Sequence, residues 1–168
     1  MTRYAIGLGS NLGDRLRHLT DAVEAIRTAT GDVLVSPLYE TEPMGGPEQG
    51  PYLNAIVVCT SDLEPDQMLR LLQDVERAHL REREVRWGPR TLDLDIITTD
   101  GAPVSKEHLE IPHPRAAERQ FVLRPLVDVW PEAPLHGVTA AEALDSVSDQ
   151  GVVMIDAGWF RPGSQRSP

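Results

Sequence analysis

The chain has 168 residues, 40% of them hydrophobic, and 16 Lys and Arg against 26 Asp and Glu leave a formal net charge of −10. That size predicts one domain burying about two thirds of its unfolded surface, and the acidic balance argues against nucleic acid as a partner, because affinity for phosphate backbones rests on broad Lys/Arg surfaces. A mean hydropathy of −0.28, no apolar run near the ~18 residues of a membrane span and no signal-peptide pattern predict a cytoplasmic protein without membrane contact, and the single cysteine, Cys59, leaves no intrachain disulfide and no Cys-based zinc site.

Residues 3–8 read as a first strand, and Asn11-Leu12-Gly13-Asp14 as a turn that supplies a helix cap. Gly7, Gly9 and Gly13 miss the Rossmann spacing by one place, so this segment is expected to be a strand-to-helix turn and not a phosphate loop. Leu16, Leu19, Val23 and Ile26 follow at helical spacing, and the helix should close before Gly31. Residues 33–39 and 52–61 read as strands flanking a loop, 41–51, that holds three prolines and three glycines. Glu64-Pro65 opens a second helix whose stripe is Met68, Leu69, Leu72 and Val75, extending to Ala78 and His79, and residues 92–98 read as a fourth strand. Strand, helix, two strands, helix, strand is the ferredoxin-like βαββαβ order. It predicts an α+β fold with a mainly antiparallel sheet and helices on one face. Beyond residue 101, Pro112, Pro114, Pro125, Pro131 and Pro134 break the chain into short pieces, with a helix expected at 139–147 and a strand at 152–155. A single domain over 1–160, C-terminal additions included, and a disordered tail from Arg161 complete the expectation.

The segment Arg86-Trp87-Gly88-Pro89-Arg90-Thr91-Leu92-Asp93-Leu94-Asp95-Ile96 carries the most chemistry. If 92–98 is a strand, Leu92, Leu94 and Ile96 face the core while Asp93 and Asp95 share the other face, with alternate Cα atoms roughly 7 Å apart. Two such carboxylates repel, and Mg²⁺ would relieve that repulsion while leaving positions for water and substrate phosphates. An amphipathic edge strand with a solvated acidic face is the plainer reading of an Asp-x-Asp pair alone. Asp is a poor strand former, however, and local conflicts of this kind tend to mark functional sites. Arg81, Arg83, Arg86 and Arg90 add four guanidinium groups that suit a polyphosphate, unless Glu82 and Glu84 simply neutralise them. Trp87 sits at a bend, able to cover a ligand or to anchor the core.

Taken together, Gly9-Ser10-Asn11-Leu12-Gly13-Asp14, Tyr39-Glu40-Thr41-Glu42-Pro43-Met44-Gly45, Tyr52-Leu53-Asn54-Ala55, the Arg-Trp-Gly-Pro-Arg block, and Ile111-Pro112-His113-Pro114 with Arg119 and Phe121 resemble the 6-hydroxymethyl-7,8-dihydropterin pyrophosphokinases of folate biosynthesis. The likeness covers nearly the whole chain. It implies a pyrophosphokinase that transfers pyrophosphate from ATP to the pterin hydroxymethyl group and releases AMP, using two Mg²⁺ held by Asp93 and Asp95. It further implies that Arg81 and Arg90 offset charge on the phosphates, and that Gln73, Glu76, Arg83, His113 and Arg119 meet the nucleotide. Thr41, Pro43 and Met44 would begin a mobile lid over the pterin, with Tyr52, Asn54, Trp87 and Phe121 completing its pocket. A monomer is expected. No residue stands out as a general base. The family often carries glycine where this chain has Leu80, and no role is implied for His108 or Glu110. Two other readings share part of the pattern. A non-catalytic sensor on the same fold would not need an Asp pair opposite clustered arginines, and a Mg²⁺-dependent nucleotide hydrolase would have no use for Tyr52 and Asn54. Whether pterin alters ATP consumption separates them.

Overall fold

In a computed structural model, residues 1–42, 48–79 and 91–162 are described. The expected segments 43–47 and 80–90 and the tail beyond Pro162 lie outside them. The first strand, β1 (Thr2–Ser10), runs directly to α1 (Arg15–Thr30). The Asp14 carboxylate accepts from the Arg17 N–H as the N-cap, and Gly31 closes the helix at φ 95, a left-handed conformation that glycine adopts freely. Then come β2 (Val33–Val35), β3 (Leu38–Thr41), β4 (Tyr52–Ser61), α2 (Pro65–His79) and β5 (Asp93–Thr99). These pair antiparallel in the order β3-β4-β1-β5, with β2 alongside β4, which is the ferredoxin-like arrangement.

The expected single strand over 33–39 is two. Pro37 has no N–H to extend the ladder, and at the break Ser36 substitutes for it: its N–H donates to the Ile56 carbonyl and its Oγ accepts from the Ile56 N–H, at 2.9 and 2.8 Å. The Trp159 indole then donates to the Ser36 carbonyl, tying the distal chain to this kink.

Strand alternation divides the core into two. Tyr4, Ile6 and Leu8 of β1, Leu53, Ala55 and Val57 of β4, and Leu92, Leu94 and Ile96 at β5 face α1 and α2, where Leu19, Val23, Ile26, Met68 and Leu72 are buried. Each buried Leu, Ile, Val or Met among these is worth roughly 1.5–3 kcal/mol in removed apolar surface, so this face supplies much of the stability. The expected facing of Leu92, Leu94 and Ile96 therefore holds.

The opposite face departs from expectation. Beyond β5 lie the hairpin β6 (Val104–Lys106) and β7 (Leu109–Ile111), a 3-10 turn at Ala116–Glu118, α3 (Gln120–Val129), the short pair β8 (Pro134–Leu135) and β9 (Val138–Thr139), α4 (Ala140–Asp145) and β10 (Val153–Asp156). Helices on one face describes α1 and α2 only. Val122, Leu123 and Leu126 of α3, with Ala140 and Ala143 of α4, cover Ala5, Ile56, Val58 and Ile97 on the second face. The region is in short pieces as expected, but Pro125 does not break it, because it lies inside α3. An interior proline costs about 3 kcal/mol in an isolated helix. Here Pro125 is itself buried beside Leu123 and Leu126, so tertiary packing overrides local propensity. The buried Tyr39 of β3 also fastens to α3: its hydroxyl donates to Asp128, and burial, then Asp128, push its pKa up to about 12. α4 appears as expected but shorter, capped by Thr139, and β10 pairs with β3 at the sheet edge.

Where α1 meets α2, His18 Nδ1 and His79 Nδ1 are 2.8 Å apart with their rings edge to face. One nitrogen must donate and the other accept, so the pair does not accommodate two imidazolium ions. Burial first, then His18, hold the His79 pKa below the ordinary histidine value, with Arg17 adding to this and Asp21 opposing it. Because the folded pKa is depressed, the unfolded chain binds the proton better. Stability is then complete above the unfolded value of about 6.5 and declines as pH falls below it. His79→Gln should flatten the decline of the thermal midpoint between about pH 7 and pH 5; an unchanged profile in thermal melts would rule out this linkage.

Candidate active site

A cavity of about 690 Å³ opens on the second face, beside the part that α3 covers. Its floor is β1. In register, Gly9 sits between Asp93 of β5 and Asn54 of β4, and Gly7 between Asp95 and Ile56. Adjacent strands lie ~4.8 Å apart, so Asp93 and Asn54 stand roughly 10 Å from each other across a row with no intervening side chain. A Cβ on Gly7 would come 3.0 Å from Ile97 Cδ1, and one on Gly9 would come 3.4 Å from Asn54 Oδ1 and 3.7 Å from the Tyr52 ring. Thus both glycines belong to the strand and leave the floor bare; Gly7 lies within the strand expected over 3–8, whereas Gly9 was expected in the strand-to-helix turn that follows it. The turn begins only at Asn11.

On one side of this floor the Asn54 amide donates to Thr41 Oγ1 at 2.8 Å, and both residues are buried. That bond fixes the amide's orientation and leaves Oδ1 over Gly9. Tyr52 lies on the same strand face, two residues away, and lines the cavity with Phe121 from the first turn of α3. The loop that crosses this end is held at its far side: Asn11 Nδ2 donates to Gln49 Oε1 and the Gly50 carbonyl, and Arg15 donates to the Pro51 carbonyl while pairing with Glu40.

Across the floor stand Asp93 and Asp95, the latter the more exposed. Above them are His113, Arg115, Glu118 and Arg119. The β-bulge in β5 leaves Ile97 outside the β1 register, and its carbonyl accepts from the His113 N–H at 2.8 Å. The Arg115 N–H donates to His113 Nδ1, which assigns the ring proton of neutral His113 to Nε2. Burial first, then the Arg119 charge, hold the His113 pKa below the ordinary value, so the ring is a neutral donor at neutral pH. Burial, then Arg115, lower the Arg119 pKa as well, against Asp95 and Glu118, yet a guanidinium stays charged. It lies over the Phe121 ring at 5.6 Å. The backbone N–H groups of Gln120 and Gln150 each donate to the other's side-chain Oε1, and the Gln150 side-chain amide also donates to the Glu118 carbonyl. This clasp fixes the entry to α3.

Of the residues singled out in the sequence, Thr41, Tyr52, Asn54, Asp93, Asp95, His113, Arg119 and Phe121 converge on this one cavity. Gln73 and Glu76 do not line it. Gln73 is exposed on α2, and Glu76 accepts from the Leu94 N–H at the edge of β5. Pro43, Met44, Arg81, Arg83, Trp87 and Arg90 lie outside the described residues. Arg115, Glu118, Gln49 and Gln150 are cavity residues that sequence reasoning missed. Arg115, Glu118 and Arg119 follow the Pro-His-Pro strap at one-turn spacing, a signal that could have marked them, whereas Gln150 has no local signal at all.

Two carboxylates on one strand face, beside a cavity lined by Arg and His, are a donor set suited to Mg²⁺ shared with phosphate oxygens and water. Among the described residues no group of three or more His, Cys, Asp or Glu stands together, and Mg²⁺ commonly takes its remaining positions from water and substrate oxygens. No described helix is long and apolar enough to cross a membrane.

The family model of 7,8-dihydro-6-hydroxymethylpterin-pyrophosphokinase (HPPK) matches residues 5–131. The chain is 40% identical over 158 residues to the 2-amino-4-hydroxy-6-hydroxymethyldihydropteridine pyrophosphokinase of Methylorubrum extorquens, covering 93% of this chain and 100% of that one. To the Bacillus subtilis protein of the same name it is 42% identical over 137 residues, 80% of this chain and 82% of the other. In fold it is similar to the Plasmodium falciparum HPPK-DHPS crystal structure with pteroate, with a TM-score of 0.69 at 15% identity over 87% of this chain and 42% of that longer one. The family match spans β1 to the turn after α3 and takes in every lining residue of the cavity but Gln150, so the chain belongs to the HPPK family.

Proposed function

We propose that this protein transfers the pyrophosphoryl group of ATP to the hydroxymethyl oxygen of 6-hydroxymethyl-7,8-dihydropterin, releasing AMP, as a cytoplasmic monomer in folate biosynthesis. The observation that carries this reading is the bare glycine floor, with Thr41, Tyr52, Asn54 and Phe121 lining one part of the cavity and aspartates, His113 and arginines lining the rest, which supports a heterocycle site beside a phosphate site. A flat bicycle laid over Gly9 meets the Asn54 carbonyl oxygen at its edge and aromatic rings at its faces, so its hydroxymethyl arm extends toward the aspartates. His113 Nε2–H and the Arg119 guanidinium then take phosphate oxygens, and Arg115 adds charge nearby. Family resemblance adds Arg81, Arg83 and Arg90 to that role, Gln73 and Glu76 to the nucleotide, and Pro43, Met44 and Trp87 to the pterin.

In the reaction the hydroxymethyl oxygen forms a bond to the β-phosphorus while the bond between the β-phosphorus and the α,β-bridging oxygen breaks, so AMP departs with that bridging oxygen. The hydroxyl proton leaves to solvent or phosphate. The protein's part is positioning and charge stabilisation. Asp93 and Asp95 would hold Mg²⁺, most simply two ions, whose chemistry when bound is to neutralise the polyphosphate and orient it. The rest comes from the chain: Asn54 and Thr41 orient the acceptor, and His113 and Arg119 stabilise charge growing on the leaving and migrating phosphates.

Incubation with Mg²⁺, ATP and the pterin should yield AMP and pterin pyrophosphate in equal, pterin-dependent amounts; ADP and phosphate formed regardless of pterin would instead indicate a hydrolase. Asp95→Ala should cut turnover roughly a hundred-fold or more with the thermal midpoint retained, and near-normal turnover would refute its metal role. Gly9→Val, which favours a strand but fills the floor, should leave the protein folded and weaken pterin binding at least about ten-fold, the scale of one overpacked contact. Calorimetric titration with pterin checks this, and unchanged affinity would remove Gly9 from the site.

A further inference from the structure

His113 reaches the cavity from a strap between Pro112 and Pro114, and that strap is fixed at three points. Two are its bonds to the Ile97 carbonyl and the Arg115 N–H already described. The third comes from a distant element: His136 Nε2 lies 3.0 Å from the His113 carbonyl oxygen. His136 does not line the main cavity. It borders a separate hollow of about 280 Å³ on the other side of the strap, together with Pro112.

The setting of His136 makes that contact informative. Leu135 pairs with Val138, so His136 and Gly137 form the two-residue turn of a hairpin, at φ 48 and 89. Such turns need positive φ at both positions and are served best by Asn, Asp or Gly. A histidine at φ 48 carries a backbone cost, and the described residues contain no other non-glycine at positive φ. The hairpin is anchored as well: the Thr98 hydroxyl donates to the Pro134 carbonyl, and the Ala140 N–H donates to that of Ala133. A ring of contacts thus leaves β5 at Ile97, passes through His113 and His136, and returns to β5 at Thr98.

We infer that His136 is a positioning residue for ATP use, donating its Nε2–H to the His113 carbonyl so that the Pro-His-Pro strap presents the His113 ring to the phosphates. The inference rests on the proposed role of His113 toward ATP. His136 lies outside the lining of the cavity proposed for both substrates. Its effect travels through one carbonyl, and the conformational cost at φ 48 is offset by the bond that only a ring or an amide of similar reach can make from that turn.

The test is steady-state kinetics of the full chain with ATP and pterin varied separately, for His136→Gly, His136→Gln, His113→Ala and the His113→Ala/His136→Gly double variant, with thermal midpoints measured so that assays run where all are folded. His136→Gly frees the backbone of its unfavourable φ, so its midpoint should not fall appreciably. Its KM for ATP should rise roughly five-fold, the scale of one lost hydrogen bond, with KM for pterin unchanged. His136→Gln, whose amide can donate to the same carbonyl, should recover part of that loss. His113→Ala should raise KM for ATP too, and adding His136→Gly to it should change nothing further. Additive effects in the double variant, or an unchanged KM for ATP in His136→Gly while His113→Ala raises it, would overturn the positioning role. If His113→Ala itself leaves ATP kinetics intact, the proposed role of His113 fails first, and this inference with it, while the pterin-dependent formation of AMP still stands or falls separately.

Discussion

A strand in the middle of a sheet ordinarily carries side chains on both faces, and β1 carries none at Gly7 and Gly9 on the face away from α1 and α2. The cavity exists because of that omission. β1 is flanked by β4 and β5, so the bare positions lie between Asn54 and Asp93 in one row and between Ile56 and Asp95 in the next. Backbone pairing continues beneath the cavity, which gives the site a rigid floor. The usual entropic cost of glycine within a strand, about 0.5–1 kcal/mol each, is set against the large buried set on the opposite face, where Tyr4, Ile6 and Leu8 of the same strand are nearly inaccessible.

The two faces of the sheet consequently do different work. One is covered by α1 and α2 and is closed by hydrophobic packing. The other is shared: α3 and α4 cover Ala5, Ile56, Val58 and Ile97, and the cavity occupies the end that they leave open. Polar contacts concentrate where these two territories meet. The Gln120–Gln150 clasp fixes the first turn of α3, the Asn11 and Arg15 contacts hold the loop opposite, and the bulge at Ile97 supplies the carbonyl that catches the His113 strap. Each places a functional side chain by holding backbone, and backbone held at several points is what keeps a charge-stabilising site preorganised.

Much of the candidate site was legible because it follows short periods. Asp93 and Asp95 alternate with Leu92 and Leu94, so their common face could be read from the strand rule alone, and Tyr52 with Asn54 obeys the same rule. The Asp14 cap and the α2 stripe at Met68 and Leu72 are likewise local. Recognition of His113, Arg119 and Phe121 needed more, since only family resemblance set them beside those strands. Gly9 was misassigned to a turn and the role of Gly7 went unread, for glycine is a turn former by composition and a floor only when its strand neighbours are known. The interior position of Pro125 and the break at Ser36 escaped for the same reason: each depends on a partner tens of residues away, with Leu123 and Leu126 packed on Ile56 in one case and Ile56 bonded to Ser36 in the other.

The sequence by itself determined the βαββαβ order, the inward and outward faces of the strands and the pairing of the two carboxylates, because side-chain direction repeats every two residues in a strand and every 3.6 in a helix. Tertiary structure alone decided that glycines would lie between the aspartates and β4, that a proline-bearing helix would cover part of the second face, and that His136 would reach the strap of His113. Those outcomes depend on strand register and on burial between segments far apart in the chain, and no local period encodes a distance of that kind.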